Sequence, residues 1–152
     1  MEENQMVIIA QSITSFIAAA AFGILFNVPK ESLFKCGFVG MVGWMVYFLL
    51  EGKGADAVLA TVIASFIVTV ISQIYARIYK TPVIIFIVAG IIPLVPGGMA
   101  YDAMRHFVQN DYNTALNLAA KAFMISGAIA IGIVFSEVFN QLVKRKQYMK
   151  EQ

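Results

Sequence analysis

Five stretches of this chain carry no charged residue: Asn4–Pro29 (26 residues), Cys36–Leu50 (15), Ala57–Ala76 (20), Thr81–Tyr101 (21) and Ala122–Ser136 (15). Together they make up nearly two thirds of the 152 residues. A helix rises about 1.5 Å per residue, so roughly 20 residues cross a 30 Å hydrocarbon core. Uncharged runs of that order, repeated five times, predict an all-α polytopic membrane protein. Composition agrees. Only 13% of residues are charged and 60% are hydrophobic, against about 25% charged in soluble domains. A soluble fold of this size has too little interior to hide so much apolar surface.

Several classes of function are excluded. A net charge of +2 is too small for a nucleic-acid binder, and the cations are not interleaved with aromatics. Cys36 is the single cysteine and His106 the single histidine, so neither a disulfide framework nor a Cys/His metal site is expected. The chain has no GxxxxGK[ST] run and no Gly-x-Ser-x-Gly elbow, which argues against an ATP motor and against an enzyme. No cofactor is expected. The acidic start, Met-Glu-Glu-Asn-Gln, is unlike the positive n-region of a signal peptide, so the first apolar run is expected to stay as a helix.

The predicted helices span about 6–26, 33–50, 57–75, 82–95 and 115–143, forming one bundle (1–152) with a basic tail at 144–152. Glu51-Gly52-Lys53-Gly54 makes a turn. Thr81-Pro82 reads as a hydroxyl N-cap followed by proline at the first helical position. With five spans, one side collects Lys30, Lys35, Arg77, Lys80, Lys144, Arg145, Lys146 and Lys150, and the other only Lys53, Arg105 and Lys121. Positive charge favours the cytoplasm. The C-terminus is therefore expected inside and the N-terminus outside, consistent with Glu2 and Glu3. A four-span arrangement, with helix 2 too short to cross, would put both ends on one side.

The most informative segment is Gly90-Ile-Ile-Pro93-Leu-Val-Pro96-Gly97-Gly98-Met-Ala-Tyr101. Residues 82–95 give only about 21 Å of helix, too short to cross alone. Pro93 and Pro96 lack amide donors and clash with preceding carbonyls, and Gly97 and Gly98 open backbone angles closed to other residues. Such a break strands polar backbone groups, which must be enclosed in protein or line a watery cavity. A second segment starting at Pro96 would offer the amides of Gly97, Gly98 and Met99 to an anion at a positive helix end, as in broken-helix transporters. A proline kink with a glycine turn at the outer surface is the plainer reading. Two prolines followed at once by two glycines exceed what a kink requires.

Pro93-Leu-Val-Pro96-Gly97, with Tyr101 four residues on, resembles the signature of the threonine/serine exporter family. Chain length and the five-span pattern resemble its short form, in which one half of the fused exporter is a separate small subunit. The resemblance implies a larger membrane partner and export of threonine and serine, or of dicarboxylates such as succinate, across the cell membrane. The break itself is the expected substrate site: Pro93 and Pro96 make it, Gly97 and Gly98 hold the substrate carboxylate, and Tyr101 shapes the pocket. A half with an odd number of spans must be inverted relative to its partner half, and this chain would be the second half.

The other polar residues are weaker signals. Thr61, Ser65, Thr69 and Gln73 form one stripe at four-residue spacing, suited to interface packing or to wetting a pathway. Gln11 shares a face with Ser15, Ala19 and Gly23 and is a candidate for the cavity. Gly37, Gly40 and Gly43 read as packing. Lys121 and Glu137 lie inside the last helix, where charge is expensive. Sixteen residues apart, about 24 Å and on nearly opposite faces, they cannot pair. Lys121 can snorkel outward or attract an anion. Glu137 can serve proton coupling or face the Lys144–Lys146 cluster. Asp102, beside Tyr101 and close to the glycines, is a candidate for the substrate site and, with Glu137, for proton coupling, and it can reach Arg105 and His106 at helical spacing. Beside the exporter stand two alternatives: a non-transporting membrane scaffold that assembles another protein, and a homo-oligomeric channel.

Overall fold

The computed structural model of the chain describes residues 2–148, with side chains described over 5–142. The expected contributions of Glu2, Glu3, Lys144, Arg145, Lys146 and Lys150 lie outside the described side chains. Six helices follow one another: α1 (Glu2–Leu25), α2 (Lys30–Gly52), α3 (Ala57–Tyr79), α4 (Val83–Ile91), α5 (Gly97–Val108) and α6 (Tyr112–Tyr148). A single 3-10 turn, Ile92–Leu94, extends α4. Left-handed residues follow four of the helices: Asn27, Gly54, Lys80 and Asn110. Glycine takes that conformation freely and asparagine comparatively easily, and Lys80 takes it at the end of α3. Asp56 caps α3 by accepting from the Val58 amide at 3.0 Å.

Several expected boundaries change: α2 begins at Lys30 rather than Leu33 and α3 runs on to Tyr79 rather than Tyr75. Thr81 does not cap the next helix: α4 has Pro82 at its N-cap without a side-chain bond, and the Thr81 hydroxyl is buried without a partner. The last helix begins at Tyr112 rather than Ala115 because Asp111 caps it, accepting from the Thr114 amide at 3.3 Å. That bond, with His106 Nδ1 3.2 Å away, holds the exposed Asp111 carboxyl below the ordinary carboxylate range. Asp102 meets Arg105 at 3.5 Å, whereas His106 turns to Asp111.

Side-chain register fixes the direction of each helix. α1 and α2 are antiparallel: Gln11 meets Trp44, Phe16 lies against Gly37 and Gly23 against Leu33. α4 descends alongside α3 in reverse, with Phe86 beside Tyr75 and Gly90 wedged between Val39 and Val68. α6 runs in the same direction as α3. Gly132 lies on Ser65 and Val62, Glu137 meets Gln73, and Asn140 meets Arg77. Two parallel helices require what joins them to travel from one end of the bundle to the other. The α4–α5 pair makes that journey, bent by 50° at its break. Four helices are long and apolar enough to cross a membrane, and the bent pair makes a fifth when taken as one span. At 23 residues, α2 is not too short to cross, which removes the reason for a four-span reading.

The core is built from small residues and close approaches. Val39, Ala64, Val68, Leu94, Ile125 and Ile129 form one buried cluster. A Cβ on Gly90 would sit 2.7 Å from Val39 Cγ1 and 2.8 Å from Val68 Cγ1, and one on Gly132 would sit 2.6 Å from the Val62 carbonyl. Bare backbone at these points lets helices touch, the usual device where lipid offers no hydrophobic drive to associate. Gly132→Ala is therefore expected to destabilise the fold by about 1–3 kcal/mol through overpacking. Gly127→Ala, where an added Cβ meets nothing within 4 Å, should leave stability equal or slightly higher. Thermal midpoints of the detergent-solubilised chain check both, and equal losses would refute the α3–α6 crossing.

Candidate functional site

The break lies between Leu94 and Gly97. Val95 is extended (φ −66°, ψ 128°), and Pro96, with φ −78° and ψ 48°, caps α5 without a side-chain bond. The Val95 amide reaches back to the Ile92 carbonyl at 3.2 Å, the Gly97 amide to the Val95 carbonyl at 2.8 Å, and α5 makes its first helical bond from Ala100 to Pro96 at 3.0 Å. Among the described residues, the amides of Gly98 and Met99 then have no acceptor, as the first turn of a helix dictates. The break lies inside the bundle toward its α2–α3 end: Gly90 packs at the midpoints of α2 and α3, and the break further along is level with Tyr47 and Thr61.

A cleft of about 220 Å³ opens at this point. Its floor is the break itself, Pro93 to Pro96 with Gly98 and Met99, and its walls are Trp44 and Tyr47 of α2, Thr61 of α3 and Ile125 of α6. That is below the roughly 300–1,000 Å³ of pockets for drug-sized ligands, so a small metabolite is the right scale. The Trp44 and Tyr47 rings stack with centroids 5.3 Å apart. Trp44 Nε1 donates to Gln11 Oε1 at 2.8 Å, which fixes the indole plane. No cationic side chain lines the cleft among the described residues.

The structure gathers some of the expected residues and separates others. Pro93, Pro96, Gly98 and Thr61 line the cleft, and Gln11 stands one hydrogen bond behind it. Gly97 instead faces a second groove, between α5 and α6, with Ala122, Phe123 and Ser126, and its amide is already engaged. Tyr101 is 70% exposed and does not line the cleft, since four residues on it has rotated to the outer side of α5. Asp102 is paired with Arg105. Lys121 is exposed on α6. The stripe on α3 is buried along its whole length. Thr61, Ser65 and Thr69 each donate to the carbonyl four residues back, at 2.7, 2.8 and 2.8 Å. Gln73 Nε2 donates to Glu137 Oε2 at 2.9 Å, so Glu137 sits at the far end of the stripe from the cleft. Sequence reasoning missed Trp44, Tyr47 and Ile125. Trp44 and Tyr47 carried a usable signal: the one tryptophan of the chain lies three residues from a tyrosine on the same helix face.

A family model described as "Threonine/Serine exporter, ThrE" matches residues 11–139, from the glutamine behind Trp44 to the last turns of α6. No solved structure matches the chain. The chain belongs to the threonine/serine exporter family, a family of transporters, and is a multi-pass membrane protein of that family.

Because Trp44 is the only tryptophan, its emission reports the cleft directly. Gln11→Leu removes the acceptor of its indole N–H, at a cost of about 1–3 kcal/mol for a donor left without a partner. The variant is expected to shift the emission maximum and to reduce stability. An unchanged spectrum would show that Gln11 does not hold the ring.

Proposed function

We propose that the chain is the small subunit of a secondary exporter that moves threonine, serine or a similar small amino acid across the cell membrane, together with a larger membrane partner. The observation that carries this reading is the cleft at the broken helix, with the Gly98 and Met99 amides free at its floor. The substrate carboxylate accepts from those two amides at the positive end of α5. Its ammonium lies over the Trp44 and Tyr47 rings, whose faces attract cations, and its hydroxyl falls within reach of Thr61. A dicarboxylate is served less well, since the second carboxylate finds no cation in the lining.

In this reading the α2–α3 end faces outside and the α3–α4 end, with Lys30, Lys35, Arg77 and Lys80, faces the cytoplasm. Alternating access comes from rocking of this half against an inverted partner half. The cleft is bounded by α2 and α3 on one side and by α6 on the other, so movement of α5–α6 relative to α1–α4 opens or closes it.

The test compares neighbouring glycines. Neither Gly97 nor Gly98 has any atom within 4 Å of an added Cβ, so both accept a side chain without disturbing the fold. Gly98→Val intrudes on the cleft and is expected to lower threonine export by about tenfold or more, equivalent to roughly 1.4 kcal/mol. Gly97→Val, facing the other groove, should retain most of it. Export measured from cells with matched membrane levels decides the point. Undiminished export by Gly98→Val would remove the break from the transport path, as a scaffold reading requires.

A further inference from the structure

α5 packs chiefly on α6, and the residues that meet between them, Ala100 to Phe107 against Ala115 to Ser126, leave the lower part of that helix uncovered by α5. The groove between them runs past Gly97, Ala119 and Phe123 to Ser126. Below that point the same helical face continues through Ala130 to Glu137, at spacings of four and seven residues, and all three positions are exposed. Glu137 lies level with Gln73, about 9 Å inside the end of α3 at Tyr79, and is surrounded by exposed Val134 and Val138. Among the described residues its one hydrogen-bond partner is the neutral amide of Gln73, and no described cation forms an ion pair with it.

A carboxylate on an open apolar face at this depth is costly in lipid, by about 2.5–3.5 kcal/mol toward the centre. The outer side of the break, where Val95 and Gly97 are exposed, opens onto the same groove. Lipid is therefore the wrong cover for this face. Small residues at Gly97, Ala119, Ser126 and Ala130 let another backbone come close, and the Glu137 carboxyl, which no cation among the described residues meets, sets what that backbone must bring.

We propose that the α6 face from Ser126 through Ala130 to Glu137, continuous with the groove at Gly97, seats a membrane-spanning helix of a second, different chain that brings a cation or an amide donor to Glu137. The proposal rests on the reading of this chain as one part of a two-chain exporter and assigns the contact surface. The incoming helix covers the exposed backbone beside the break, which ties its position to the back wall of the cleft.

The experiment places a photoreactive phenylalanine analogue at position 126 of the full chain in native membranes, with position 9 on the exposed face of α1 as the reference. The expected result is an adduct with another membrane protein at position 126 and not at position 9. Peptide mapping should put the adduct in an apolar segment with Lys, Arg, His, Asn or Gln within one turn. Ala130→Trp should reduce that adduct by about tenfold or more while the thermal midpoint of the isolated chain stays unchanged, and Glu137→Leu should reduce it likewise with a lower midpoint, because it leaves the Gln73 amide without its acceptor. An adduct at twice the chain's own mass, adducts with lipid alone, or a partner adduct indifferent to both substitutions would each overturn the proposal. If export requires Gly98 while position 126 yields no such adduct, the exporter reading stands and this docking surface falls.

Discussion

An amide or carbonyl in hydrocarbon has no water to turn to, and each unsatisfied group there costs several kcal/mol. That constraint governs this fold. Pro93 and Pro96 interrupt the fourth crossing inside the bundle, so the surrounding helices must supply an enclosure. They do so by close contact. Gly90 lets α4 press between Val39 and Val68, Gly40 and Gly43 on α2 face Ala19 and Val68, and Leu94 reaches the buried cluster. What remains open at the break is small and one-sided, bordered by two aromatic rings, and that residue of open space is the cleft.

Most of the polar residues follow the same rule. The three hydroxyls of the α3 stripe are buried yet satisfied on their own helix, whereas the buried Ser136 hydroxyl of α6 has no partner. Gln73 spans the interface instead, because its amide is long enough to reach Glu137. The stripe is therefore mainly a seam between two parallel helices, and only Thr61, at its upper end, opens into the cleft.

Much of this was legible in the chain itself. Uncharged length located the crossings, and Pro93 to Gly98 located the break, because proline and glycine act on the backbone locally and need no partner to do so. The choice of face was not legible. Lipid and protein interior are equally apolar, so the pattern along α2 or α6 does not say which side meets a neighbour. Tyr101 and Gly97 were misplaced for that reason: both lie in the right segment, and helical rotation turns them away from the cleft. The links from Gln11 to Trp44 and from Gln73 to Glu137 cross 33 and 64 residues, a separation at which local pattern carries no information. The hairpin of α5 and α6 was hidden by the charges of Asp102, Arg105 and His106, which make α5 look like a surface connection.

The brevity of α4 also bears on how the chain is built. Nine residues with one 3-10 turn are too few to be held in a bilayer by their own greasiness as they leave the ribosome. The slot that receives them, between Val39 and Val68, belongs to α2 and α3, which are synthesised earlier. The notch in α4 at Gly90 matches that slot, so this segment is held by its neighbours' contacts rather than by its own length.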